Sequence, residues 1–173
     1  MNDKTHFSAP WGVPLLVMTT LSIVILIGIP VLYILFSPPK NIYLILGMII
    51  LPLIILFISV FFIIRGYILT PEAIFIQRLC WKNKLDLTDI VSAGVDPNAM
   101  DKSIRTFGNG GMFCFAGAFY NKRLSSYRAF ATDPKLSVVL KFKNRTVVIT
   151  PDQPSEFVEK INRILIKRNY KSV

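Results

Sequence analysis

The sequence predicts two membrane-crossing helices joined as a hairpin, followed by one small, mainly β domain that a C-terminal α-helix closes. Three observations carry this. Of 173 residues, 53% are hydrophobic and 17% charged, which is too apolar for an ordinary soluble domain. The apolar excess is concentrated, because residues 7–39 contain no charged side chain and residues 41–64 contain none. The positive charge is segregated the other way: only Lys4 and Lys40 precede Arg65 among the 20 Lys and Arg, so the net +10 becomes about +9 on the last 109 residues.

Residues 1–10 read as a cytoplasmic N-terminal tail, residues 11–36 as the first span and residues 42–64 as the second. As helices these runs measure roughly 39 and 35 Å, against about 30 Å of hydrocarbon. A cleaved signal peptide has an apolar core of about 7–15 residues. The first run is longer and shows no small-residue cleavage pattern before Ser37. Trp11, Tyr33, Tyr43 and Tyr67 flank the runs, as aromatic side chains do at membrane interfaces, which argues against a buried core hairpin. Residues 37–41, Ser-Pro-Pro-Lys-Asn, are turn formers that join antiparallel helices. One Lys lies in that turn, whereas Arg65, Arg78, Lys82 and Lys84 follow the second run. The excess of positive charge therefore predicts a multi-pass protein of the cytoplasmic (inner) membrane with both termini in the cytoplasm. The polar side chains inside the runs are Thr19, Thr20, Ser22 and Ser59, none of which relays a proton. Pro30, Pro52, Gly28 and Gly47 fit ordinary usage in membrane helices. A transport path built by this chain alone is not supported.

The domain at residues 65–173 begins at the membrane surface, with Arg65-Gly66 as its whole junction. Short strands punctuated by turns follow. Residues 67–69 are broken by Thr70-Pro71-Glu72, then come residues 74–77, 81–87 and 91–95. The clearest alternation sets Val138, Leu140 and Phe142 against Val139, Lys141 and Lys143, and turns through Asn144-Arg145 into Val147 and Ile149 as a hairpin. A helix over about 153–168 ends the chain: Asp152 caps it, Pro154 suits its first turn, Glu156 and Glu159 favour its positive end and Lys167 and Arg168 the other. Phe157, Val158, Ile161, Ile164 and Leu165 make its apolar stripe.

Four segments carry a resemblance. They are Arg105-Thr106-Phe107-Gly108-Asn109-Gly110-Gly111-Met112-Phe113, Gly117-Ala118-Phe119-Tyr120-Asn121-Lys122, Tyr127-Arg128-Ala129-Phe130-Ala131-Thr132-Asp133 and Val147-Val148-Ile149-Thr150-Pro151-Asp152. Together they resemble the bacterial pleckstrin-homology-like (PH-like) domain family found beside membrane spans. The resemblance implies a partly open β-barrel or sandwich closed by a C-terminal helix, and no single activity, since PH-like folds host many functions.

Function is less legible. Arg105, Gly108, Gly110 and Gly111 are candidates for an anion nest, because glycine-freed amides beside a base cradle anions. The order lacks the GxxxxGK[ST] spacing of a nucleotide loop, and the alternative is a tight turn with close strand packing. Lys122, Arg123 and Arg128 are further anion or partner candidates, and Arg65, Trp81, Lys82 and Lys84 are membrane-surface candidates. The loop at residues 69–73 holds an acid and no base, unlike phosphoinositide sites of the eukaryotic type. No catalytic residue, cofactor or metal site is assigned: His6 is the one histidine, and Cys80 and Cys114 stand without histidine partners. The charge lacks a recognition-helix pattern, so no nucleic-acid partner is expected. The expected role is a non-catalytic adaptor or assembly factor that binds a membrane-associated protein or anionic lipid, with exposed sheet edges as one recognition mode. The alternatives are an enzyme or enzyme subunit with an anion site at the Gly-rich loop, and an accessory subunit of a transporter.

Overall fold

The computed structural model describes residues 5–36 and 41–171. Lys4 and the turn residues through Lys40 lie outside them. Charge-free runs rich in Leu, Ile and Val form α1 (Val13–Phe36) and α2 (Ile42–Val60). Pro14 occupies the first turn of α1, where its missing N–H costs nothing, and Asn41 caps α2 by accepting from the Tyr43 amide at 2.9 Å. Both helices are long and apolar enough to cross a membrane. Leu15 and Thr19 of α1 and Pro52 of α2 are their buried residues, so the apolar faces stand outside the domain core instead of filling it.

The second apolar run was expected to stay helical to Ile64, but α2 stops at Val60. Phe61, Phe62 and Ile63 donate to Ile58, Ser59 and Val60, a tightened last turn with bonds three residues back. Ile64 already belongs to a strand.

That strand, β2 (Ile64–Leu69), lies between β1 (Thr5–Ser8) and β3 (Ala73–Arg78), and β4 (Lys82–Asp86) completes an antiparallel sheet in the order β1-β2-β3-β4. Residues 5–8 were expected in a tail. They form a strand because Phe7, 3% exposed, reaches the core and packs edge-on against Phe157 at 4.9 Å. The flanking His6 and Ser8 face outward, and His6 Nε2 donates to Gln77 Oε1 at 2.6 Å.

The second sheet runs β5 (Ile90–Val95), β9 (Val138–Phe142), β10 (Thr146–Ile149), β8 (Ser125–Ala131), β7 (Phe115–Asn121), β6 (Ile104–Gly110). Its strands pair antiparallel except β10 with β8, which are parallel. The amphipathic α3 (Pro154–Lys171) buries Phe157 and Ile161 completely. The two sheets and α3 enclose one core, with Ile74, Ile76, Leu87, Leu140 and Ile149 inaccessible to solvent. Each such side chain contributes roughly 1.5–3 kcal/mol of burial. The result is a sandwich of two separate sheets and not a closed barrel.

Tyr67 ties the sheets together. Its hydroxyl donates to the Phe130 carbonyl at 2.7 Å and accepts from the Thr150 amide at 3.2 Å. Burial pushes its pKa up to about 12, against the smaller opposing pull of the Thr150 bonds.

Candidate functional site

The site of interest is where the hairpin meets the sandwich. The first turns of α1 lie on the domain: the Gly12 amide donates to Thr132 at 3.2 Å and Leu15 is inaccessible. One turn on, Thr19 Oγ1 donates to the Gly111 carbonyl at 2.8 Å and accepts from the Phe113 amide at 3.0 Å. A hydroxyl inside an apolar helix is a liability unless both its donor and its lone pair are used. Here the β6–β7 turn uses both. Gly111 is required at this contact, because it sits at φ +133° and a Cβ there would lie 2.7 Å from Met18 Cβ.

The glycine-rich stretch is therefore not an open loop but mostly β-hairpin. Gly108 and Gly117 face each other across β6 and β7 at φ +101° and +145°. A Cβ on Gly108 would strike the Ala116 carbonyl oxygen, and one on Gly117 that of Phe107. Of the glycines considered for anion binding, Gly111 has its amide engaged within the protein, as have the next two residues. Gly111 and Met112 donate to Asn109 Oδ1 at 3.1 and 2.9 Å, Phe113 donates to Thr19, and Asn109 Nδ2 returns a bond to the Met112 carbonyl at 2.6 Å. Arg105 lies over Gly110 and donates to the Gly108 carbonyl at 3.1 Å. With Met18, Ser22 and Phe115, Arg105, Gly110 and Gly111 line a groove of about 460 Å³.

The other candidate residues do not gather there. Lys122 and Arg123 sit in the β7–β8 turn, at the other end of β7 from Gly110 and Gly111, and Arg123 pairs with Asp96 at 3.0 Å. Arg65 is exposed beside a bulge in β2. Lys82 and Lys84 lie on the edge strand β4, and Lys84 bonds Asp86 at 2.6 Å, which raises its pKa. Trp81 stands edge-on to Phe62 at 5.5 Å, so its ring closes the end of α2 rather than standing free.

Arg128 joins Arg78, which the sequence showed only as one of the positive charges after the second run. It shares a second groove, of about 560 Å³, with Arg78, Ser59, Phe62, Asn83 and Phe107. Arg78 is 7% exposed. Its Nη1 donates to the Phe62 carbonyl at 2.6 Å and its Nε to Asn83 Oδ1 at 2.8 Å. Its guanidinium carbon is 5.7 Å from the ring centres of Phe62, Trp81 and Phe130. The signal was present: Ile74, Ile76 and Arg78 alternate along β3, which puts Arg78 on the core-facing side. Arg78 thereby caps the last turn of α2. Burial pushes the Cys114 thiol up, with the Arg78 charge pulling the other way, so Cys114 is held as a thiol while Cys80 is exposed.

A family model described as bacterial PH domain matches residues 65–165, more than half of the chain. No curated protein and no solved structure matches it. The matched segment begins within β2, so β1 and both helices lie outside it.

Proposed function

The chain belongs to the bacterial PH domain family, and from that premise we propose that it is a membrane-anchored, non-catalytic adaptor or assembly factor. The α1–α2 hairpin crosses the cytoplasmic membrane with both termini in the cytoplasm. The basic domain lies against the inner leaflet and binds a membrane-associated protein or anionic lipid there. One observation carries the reading: the domain grips both ends of the hairpin. Before α1 the chain is strand β1, after α2 it is strand β2, and the two strands pair from Thr5↔Leu69 to Ser8↔Gly66. A hairpin clamped in this way holds its domain at one membrane face with no tether. Each Lys or Arg close to an anionic leaflet adds about 1 kcal/mol of attraction, which orients a domain already anchored.

The engaged amides of Gly111, Met112 and Phe113 favour the adaptor over an enzyme with an anion site at the same turn. Carbonate-washed membranes test anchoring, and the full chain should stay in the pellet. A C-terminal reporter should be active on the cytoplasmic side only; activity on the outer side would refute the orientation.

A further inference from the structure

We infer that the groove between α2 and the sandwich binds the phosphate of an anionic phospholipid through Arg78 and Arg128; this rests on the membrane reading above. The first ground is charge. Arg78 is buried, and no carboxylate among the described residues lies within ion-pair distance of it. A guanidinium removed from water without a carboxylate counter-ion is costly, and three aromatic rings, two neutral oxygens and the Cys114 thiol replace only part of its hydration. Arg128 lines the same groove, is exposed, and makes no side-chain hydrogen bond or ion pair with a described residue. None of the groove's lining residues is acidic. The planar fork of Arg128 and the Nη2 that Arg78 keeps beside its bonds to Phe62 and Asn83, in a groove with no carboxylate, fit a phosphate oxygen pair.

The second ground is position. Ser59 and Phe62 bring the last turn of α2 into the lining, so the groove opens where that helix leaves the hydrocarbon, at headgroup depth. The third is shape. The lining includes Gly108, Ala116, Gly117 and Ala118, which bear at most a methyl group and leave the volume open. At the rim Phe107 is 79% exposed on the edge strand β6, an apolar surface along which an acyl chain can run while its phosphate meets the arginines. Phosphate and acyl contacts in one groove at the end of a span select a phospholipid over a soluble anion.

The test uses the full chain purified from carbonate-washed membranes, so that loss of anchoring is seen before any lipid is added. Loss there would sink the membrane reading, whereas a failure of lipid selectivity in protein that passes sinks the site alone. Native mass spectrometry then compares retention of phosphatidylglycerol with that of phosphatidylcholine, whose phosphate is the same but whose choline cation the two arginines repel. The wild type should prefer phosphatidylglycerol by about tenfold, Arg128→Ala should bring the two to parity, and Lys135→Ala, which removes an exposed charge elsewhere, should keep the preference. Parity in the wild type, or a preference that survives Arg128→Ala, overturns the proposal. Inorganic phosphate that stabilises the wild type in an Arg128-dependent way, while both lipids bind alike, would assign a free phosphate and overturn the lipid. Arg128 is the residue to vary, because Arg78→Ala also removes the bond to the Phe62 carbonyl.

Discussion

Thr19→Val should uncouple the hairpin from the domain without changing the apolar character of α1. The substitution keeps the branched shape and removes the oxygen that donates to Gly111 and accepts from Phe113. Each lost bond costs about 0.5–1.5 kcal/mol net, and a buried amide left without an acceptor costs about 1–3 kcal/mol. Thr19 is 4% exposed and Gly111 is buried, so water does not readily replace the hydroxyl. The expected local destabilisation is about 2–4 kcal/mol, or roughly 30- to 1000-fold in an opening equilibrium. Hydrogen exchange of the full chain in nanodiscs reads this directly. The Phe113 amide should lose protection by that factor, while the Gly111 and Met112 amides, held by Asn109, should lose less. Thr19→Ser should restore protection. Unchanged exchange at Phe113 in Thr19→Val would refute the clamp.

Gly117→Ala forces a Cβ against the Phe107 carbonyl at φ +145° and should destabilise by about 2 kcal/mol or more, read as a lowered Tm. Gly94→Ala, where a Cβ meets open space, should move Tm little. Tyr67→Phe leaves the Phe130 carbonyl and the Thr150 amide short of a partner and should cost about 1–3 kcal/mol. The Tyr67 pKa also sets a pH dependence. The folded value of about 12 exceeds the ordinary 10.0, so the folded state holds this proton more tightly. The stability it contributes is present in full below pH 10 and is lost as pH rises from 10 through about 12. Alkaline chemical-denaturation curves should show this loss in the wild type and less of it in Tyr67→Phe.

The legible parts of the fold are those with a local signal. The two charge-free runs announce α1 and α2, strict alternation announces β9 and β10, and an apolar stripe announces α3, although Asp152, expected as its cap, makes no side-chain bond to its described residues and the first helical bond runs from Phe157 to Gln153. β1 carries no such signal, because four residues with one inward phenylalanine acquire meaning only from a partner about 60 positions on, as in Thr5↔Leu69. Phe61 to Ile64 suit a helix, a turn and a strand equally, so the end of α2 was set too late. Glycines are poor strand formers, which hid β6 and β7. They lie in strands because Gly108 and Gly117 need positive φ and close backbone approach at one facing pair. The parallel contact of β10 with β8 is non-local and leaves no periodic trace. At the site, Arg105, Gly110 and Gly111 do share a groove, but Asn109 and Thr19, read as a turn residue and an inert span residue, occupy the amides of Gly111, Met112 and Phe113. Arg78 was read as one base among many, although its place after Ile74 and Ile76 marked it as inward.

The central claim is that the clamped hairpin holds the domain on the cytoplasmic face. The native thiols test it with no substitution, because Cys80 is exposed in the turn between β3 and β4 and Cys114 is buried with a raised pKa. A membrane-impermeant maleimide should label Cys80 in inside-out vesicles and leave it unlabelled in intact spheroplasts. Labelling in spheroplasts, with protection in inside-out vesicles, would contradict the account.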